Sequence, residues 1–239
     1  MEFTKIYKHQ LFFPNILSLF INPFLIIRWC LVQKVRKFAP LLHGTILDFG
    51  CGPKPYKSLF INATQYIGVD YENEAHSHIK EDVDVYYDGK TLPFEPQQFD
   101  NIFSSEVFEH VFNYHQILPE INRVLKPNGY FLLTVPFSWE EHEIPYDNCR
   151  FTTYGIKYLI ELYDFEIIKI EKTGHFFAVI SQYFISYIRE LVFVKNKYLN
   201  LLLNFIFIFP FTLVLLLISL IVPRKKSLYF NTIVLARKK

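Results

Sequence analysis

The sequence predicts an α/β protein, a mostly parallel sheet with helices on both faces, carrying one long apolar insertion. Three observations lead there. Residues 45–56 read as a short buried strand (Ile46, Leu47), an acid at its end (Asp48) and a turn built on Gly50 and Gly52, where backbone can approach a ligand closely. Strand and helix patterns then alternate as far as residue 171. Finally, residues 172–227 are rich in Leu, Ile and Phe, and within them Tyr198 to Pro223 carry no charge.

Taken in order, residues 1–40 form an apolar N-terminal helical segment. Pro14 and Pro23 interrupt it and no small-residue cleavage site follows, so it reads poorly as a signal peptide. Asn22 and Pro23 open a helix running to about Ala39, expected to pack beside the first strand. In the central block, 41–171, strand one is followed by a short helix over 56–60. A second strand, Tyr66 to Asp70, ends in an acid twenty residues past Gly50, a spacing that suits a carboxylate on ribose hydroxyls. Strands three, four and five are expected at Val83–Tyr87, Phe99–Ser105 and Tyr130–Val135. A helix over Leu118–Leu125 stops at the Lys126-Pro127-Asn128-Gly129 turn. A helix over 153–163 and a strand over Phe165–Glu171 follow, and residues 228–239 hold a last strand.

Charge divides the chain the same way. Residues 1–45 hold six Lys/Arg against one acid, 172–239 hold ten against one, and 46–171 hold nine against twenty-one. Basic flanks interleaved with apolar runs suit an anionic membrane surface better than nucleic acid. Cys30, Cys51 and Cys149 are scattered, with neither a disulfide framework nor paired metal-ligand spacing. His76 and His78 beside Glu72 and Glu74 read as solvated surface, and no metal is expected.

The segments ILDFGCGPKPY, YIGVDYEN, DGKTLPF, FDNIFSSEVFEHV and EINRVLKPNGYFLLTVPF occur in one order, and together they resemble a class I S-adenosylmethionine-dependent methyltransferase of the small-molecule branch. The resemblance implies a Rossmann-like, seven-stranded, mostly parallel sheet whose last strand is antiparallel, and S-adenosylmethionine as cofactor. It implies Asp48, Gly50, Cys51 and Gly52 around the methionine end, and Asp70 with Tyr71 at the ribose. It also implies Asp88 and Gly89 at the adenine, and the backbone at Ser105 near the sulfonium. Asp88-Gly89 is equally an ordinary turn. A nicotinamide-binding fold is disfavoured because Pro55 stands where a third glycine is needed.

Two places offer a general base: Glu109-His110, on the helix after strand four, which is equally a helix-start contact near the cofactor without proton transfer, and the loop from Pro136 to Thr152. In that loop His142 is the expected base, with Asp147 and Arg150 orienting the loop or the acceptor. The alternative is an Asp147–Arg150 salt bridge that only ties the loop down. In the insertion, Leu199–Val222 as a straight helix would extend about 36 Å. Strands six and seven require both ends of the insertion on one side, and positive residues flank the run (Lys195, Lys197; Arg224, Lys225, Lys226). Pro210 is expected to break it into a re-entrant or in-plane hairpin, with 176–194 as a further surface helix. The expected protein is a monotopic enzyme on the cytoplasmic face of a membrane, methylating a small-molecule, lipid or lipid-linked glycan acceptor. The alternatives are a soluble homodimer burying the insertion, a nucleic-acid or protein methyltransferase, and a catalytically silent membrane or complex subunit.

Overall fold

The computed structural model describes residues 2–71 and 82–239, with side chains from Tyr7 onward; Glu72, Glu74, His76 and His78 lie outside the described residues. The chain forms two compact units: Lys34–Lys172 with Asn231–Lys239, and Met1–Gln33 with Thr173–Phe230.

The first unit is built on seven strands. These are β1 (Gly44–Phe49), β2 (Ala63–Tyr71), β3 (Val85–Tyr87), β4 (Phe99–Ser105), β5 (Leu125–Pro136), β6 (Phe165–Lys172) and β7 (Asn231–Lys238), in the order β3-β2-β1-β4-β5-β7-β6. β1 to β5 are parallel, and β7 runs antiparallel between β5 and β6. Chain direction across the sheet reverses at β1 and β4, whose carboxyl ends therefore flank a topological switch point. Apolar β1, β4 and β5 are buried on both faces, as parallel strands covered by helices must be. Leu47, Phe49, Ile102, Phe131 and Leu133 pack with Ile117, Leu118 and Ile121 of α4 (Tyr114–Val124) and Ile156 and Ile160 of α5 (Thr153–Glu161). Full burial of such side chains contributes roughly 1.5–3 kcal/mol each.

Two details depart from the sequence expectation here. The Lys126–Gly129 stop lies inside β5. The strand begins at Leu125, opposite Phe99, and the register then shifts so that Asn101 faces Tyr130, leaving 126–129 bulged with Asn128 at φ 61°. The helix expected beside strand one is α3 (Leu25–Phe38), and Lys34 and Lys37 near its end pair with Glu171 of β6 at 2.5 and 2.6 Å.

The second unit is helical: α1 (Glu2–Phe12), α2 (Ser18–Ile21), the start of α3, and the insertion. The insertion is an antiparallel pair, but not one folded at Pro210. α6 (Phe176–Val192) leads out. The chain turns at 193–196, where Asn196 caps the next helix by accepting from the Tyr198 and Leu199 amides, and a single helical run, Lys197–Ser219, returns. At the base of the pair the Phe176 amide donates to the Lys225 carbonyl at 2.8 Å, and Ser219 Oγ lies 3.4 Å from His175 Nε2. Pro210 does not break the return helix. A π-helical segment, Asn204–Ile208, joins α7 (Lys197–Leu203) to α8 (Phe209–Ser219), and the Phe209 amide reaches back to the Asn204 carbonyl. That wider turn supplies the room and altered hydrogen-bond pattern that a proline ring and its missing N–H demand.

This unit buries polar side chains beside apolar ones such as Ile27, Val179 and Ile185, and exposes many large apolar ones. Gln10, Ser18, Asn22, Ser181, Gln182, Ser186, Asn204 and Thr212 are buried, whereas Phe184, Leu191, Leu202, Phe205, Ile206, Val214, Leu217 and Ile221 are exposed. Several of these buried polar groups find partners: Gln182 accepts from the Ile27 amide and donates to the Pro23 carbonyl, and Asn22 donates to the Gln10 carbonyl at 2.9 Å, whereas among the described residues Ser186 Oγ and Asn204 Oδ1 have none. Lys197–Ser219 is long and apolar enough to cross a membrane.

Candidate functional site

A cavity of about 680 Å³, within the size range of small-molecule sites, opens at the carboxyl ends of β1 to β4. Gly50 and Gly52 form its floor. Gly50 sits at φ +70° and a Cβ there would lie 2.4 Å from the Val107 side chain, so only glycine fits the turn without displacing that wall. The Gly52 amide donates to Asp70 Oδ2 and the Tyr71 amide to Asp70 Oδ1, both at 2.7 Å. These bonds aim the Asp70 carboxylate along the rim and leave acceptor capacity for a ligand. Asp88 accepts from the Lys90 and Thr91 amides, so it does close a turn, and it lines the cavity as well. Gly89 sits at φ +78°, where a Cβ would lie 3.1 Å from the Tyr71 ring, and Asn113 donates to its carbonyl.

Of the residues expected at the cofactor, Gly50, Gly52, Asp70, Tyr71, Asp88 and Gly89 line this cavity; Asp48, Cys51 and Ser105 do not. Asp48 is turned beneath the glycine loop, where Tyr66 donates to it at 2.7 Å. Cys51 is buried against Gly68, at which a Cβ would stand 2.6 Å from its sulfur. The Ser105 hydroxyl pairs with Thr134 on β5, and it is Glu106 and Val107 that reach the cavity. Glu106 adopts φ 56° and its carboxylate accepts from Thr134 and Asn231.

Glu109 and His110 lie in a turn ahead of α4, not on the helix, because α4 starts only at Tyr114. His110 lines the cavity, its Nδ1 at 3.1 Å from the Tyr146 carbonyl and its Nε2 at 3.3 Å from Glu143. The 136–152 loop is fastened to that turn: the Asn148 amide donates to the Glu109 carbonyl, and the Asn148 side chain to those of His110 and Tyr146. His142 does not line the cavity, although its ring stands edge-on to His110 with centroids 5.0 Å apart. Arg150 grips Asp147 through both terminal nitrogens and also donates to the Glu140 carbonyl. The pair ties the loop, and the Arg150 hydrogen bond holds the Asp147 carboxyl down at about 2. Cavity-lining Glu106, Asn113, Glu143, Tyr146 and Asn148 were not singled out from sequence. Glu106 stands at the end of an apolar strand much as Asp70 does, a signal that could have found it.

Burial, opposed by the Tyr66 hydrogen bond, pushes the Asp48 carboxyl up to about 7. A carboxyl raised above its unfolded value keeps its proton in the folded state, so stability falls as pH rises from about 4 to about 7 and then levels, a penalty of order 4 kcal/mol. Urea unfolding of Asp48→Asn is expected to show a clearly shallower decline over that range than the parent chain; an unchanged slope contradicts the assignment.

Two features separate this cavity from a dinucleotide site. Its charged lining is acidic (Asp70, Asp88, Glu106, Glu143, against Lys90), which repels a pyrophosphate and suits a cationic nucleoside. The glycine loop also leads only into a 3₁₀ turn, Lys57–Leu59, which lacks the helix N-terminus that holds phosphates. The sheet order and this placement of the cavity decide the fold. It is that of a class I methyltransferase.

Comparison with known proteins agrees. Residues 47–133 match a family model described as a methyltransferase domain. A probable S-adenosylmethionine-dependent methyltransferase of Mycolicibacterium smegmatis is 30% identical over 96 residues, 38% of this chain and 37% of the relative. The match thus spans little more than a third of that relative's length. Among solved structures, a SAM-dependent methyltransferase from Archaeoglobus fulgidus is similar over 88% of this chain and 94% of its own, at 16% identity and a TM-score of 0.54. Phosphoethanolamine N-methyltransferase 2 of Haemonchus contortus, in complex with S-adenosyl-L-methionine, covers 87% of this chain and 51% of its own, at 21% identity and a TM-score of 0.52.

Proposed function

We propose that the protein is an S-adenosylmethionine-dependent methyltransferase that works at the cytoplasmic surface of a membrane on a small-molecule, lipid or lipid-linked glycan acceptor. The observation that carries the methyltransferase reading is the acidic cavity at the ends of β1 to β4, with Asp70 held at its rim by the Gly52 amide. S-adenosylmethionine supplies an activated methyl group on a cationic sulfur. Asp70 would hold the ribose hydroxyls, Asp88 and Gly89 would meet the adenine, and Gly50 and Gly52 would let the amino-acid end approach. The turn carrying His110 and the loop carrying Glu143 and Tyr146 form the acceptor side. Alignment of nucleophile, methyl carbon and leaving sulfur lowers the barrier by up to about 7–11 kcal/mol, so a rim fixed by the Asn148 hydrogen bonds and the Arg150–Asp147 pair is itself catalytic equipment.

The membrane reading rests on the apolar surface and partly polar interior of the helical unit. Apolar side chains outside and polar ones inside suit lipid, where helices associate through polar and small residues. Lys195 and Lys197 at the tip of the helical pair and Arg224, Lys225 and Lys226 at its base put positive charge at both ends. Each contributes about 1 kcal/mol at an anionic headgroup layer, which favours a pair lying in one leaflet over one that carries its tip across.

The test is transfer itself. The full chain, incubated with methyl-labelled S-adenosylmethionine and membrane extracts, is expected to move label into the lipid or lipid-linked fraction. Label found only in protein or nucleic acid contradicts the acceptor class, and no transfer to any fraction contradicts the activity.

A further inference from the structure

Beside the cavity, one donor atom each from Glu109, His110 and His142 lie within 4.8 Å of one another. Glu109 is fully buried, and among the described residues neither of its carboxylate oxygens has a hydrogen-bond partner. An unpartnered buried carboxylate is costly enough that such groups serve a ligand or an ion. Both imidazoles are oriented alike. His110 Nδ1 lies 3.1 Å from the Tyr146 carbonyl, and His142 Nδ1 lies 3.1 Å from the Glu140 carbonyl and 3.3 Å from Asp147. A carbonyl accepts only, so each Nδ1 carries a proton and Nε2 is the nitrogen left to ligate. His110 Nε2 lies 3.8 Å from Glu109 and 3.3 Å from Glu143. A cation bound among them would satisfy all three side chains at once. Imidazoles whose other nitrogen donates to a carbonyl or carboxylate are the usual arrangement around a bound metal.

We infer that Glu109, His110 and His142 form a binding site for one divalent transition-metal ion of the zinc class. Two imidazoles and one carboxylate favour such an ion over magnesium, which prefers oxygen ligands. Three protein ligands leave a further coordination position open, and because His110 and Glu143 line the cavity, that position is available to an oxygen of the acceptor. Bonds of about 2.1 Å in tetrahedral geometry require the donor atoms to draw together by a fraction of their present separation. The site does not depend on methyl transfer, and metal binding can succeed or fail whatever the acceptor proves to be.

The full chain, stripped with chelator, is titrated with Co²⁺ and Zn²⁺ and read by cobalt absorption and by competition. The wild type is expected to take one equivalent with micromolar or tighter affinity, and His142→Ala and Glu109→Gln are each expected to lose at least about 100-fold in affinity. Circular dichroism establishes that each variant is folded, and His142→Cys, which restores a metal-binding side chain, is expected to recover binding if His142→Ala does not fold. Absence of stoichiometric binding by the wild type, or binding that survives in either folded variant, overturns the assignment.

Discussion

Asp70→Ala is expected to weaken binding of S-adenosylhomocysteine by at least about 100-fold. Asp70 lines the cavity with its carboxylate positioned by the Gly52 and Tyr71 amides. A carboxylate that accepts from two ribose hydroxyls contributes about 1.5–3 kcal/mol through each charged hydrogen bond. Alanine also frees the Gly52 amide and loosens the glycine loop. Asp70→Asn keeps an acceptor for that amide but loses the charge, so its loss should be smaller. Calorimetric titration measures both, and an Asp70→Ala affinity within about threefold of the parent's would remove Asp70 from the ribose.

The second large effect concerns location. Leu213 and Leu217 are exposed positions one turn apart on α8, in a run that is 17% buried. Charged side chains in the middle of an apolar segment cost about 2.5–3.5 kcal/mol each on transfer into lipid. Leu213→Glu with Leu217→Glu is therefore expected to move the protein from floating with anionic vesicles to the soluble fraction. Fold should persist, because neither side chain holds the polar interior of the helical unit together. If the double variant still floats with vesicles, α8 does not face lipid. If the wild type never floats, the apolar face has another cover.

The sheet was readable because its strands are apolar, separated by turns, and end in acids. Phe99–Ser105 was placed at both of its ends, and the helix opened by Asn22 within a few residues. Side-chain direction was less readable. Asp48 and Asp70 both end apolar strands, yet only Asp70 reaches the cavity, because Asp48 turns beneath the loop to Tyr66. Strand position alone does not fix which side of a glycine turn an acid faces. Pro210 misled for a local reason: the π-helical segment ahead of it removes the clash that normally stops a helix. Sequence alone puts the reversal of the hairpin at the proline, whereas the chain reverses at 193–196 between α6 and α7. The acceptor-side rim depends on hydrogen bonds between segments far apart in sequence, Asn148 to His110 above all, and no periodicity announces those.

The most direct measurement is a calorimetric titration of the intact wild-type chain with S-adenosylhomocysteine, run beside one with NADH. One equivalent bound at micromolar affinity, with no heat from the dinucleotide, is the result expected of an acidic cavity whose glycine loop leads into no helix. Saturable binding of NADH, or no binding of the adenosyl compound to the folded chain, would contradict it.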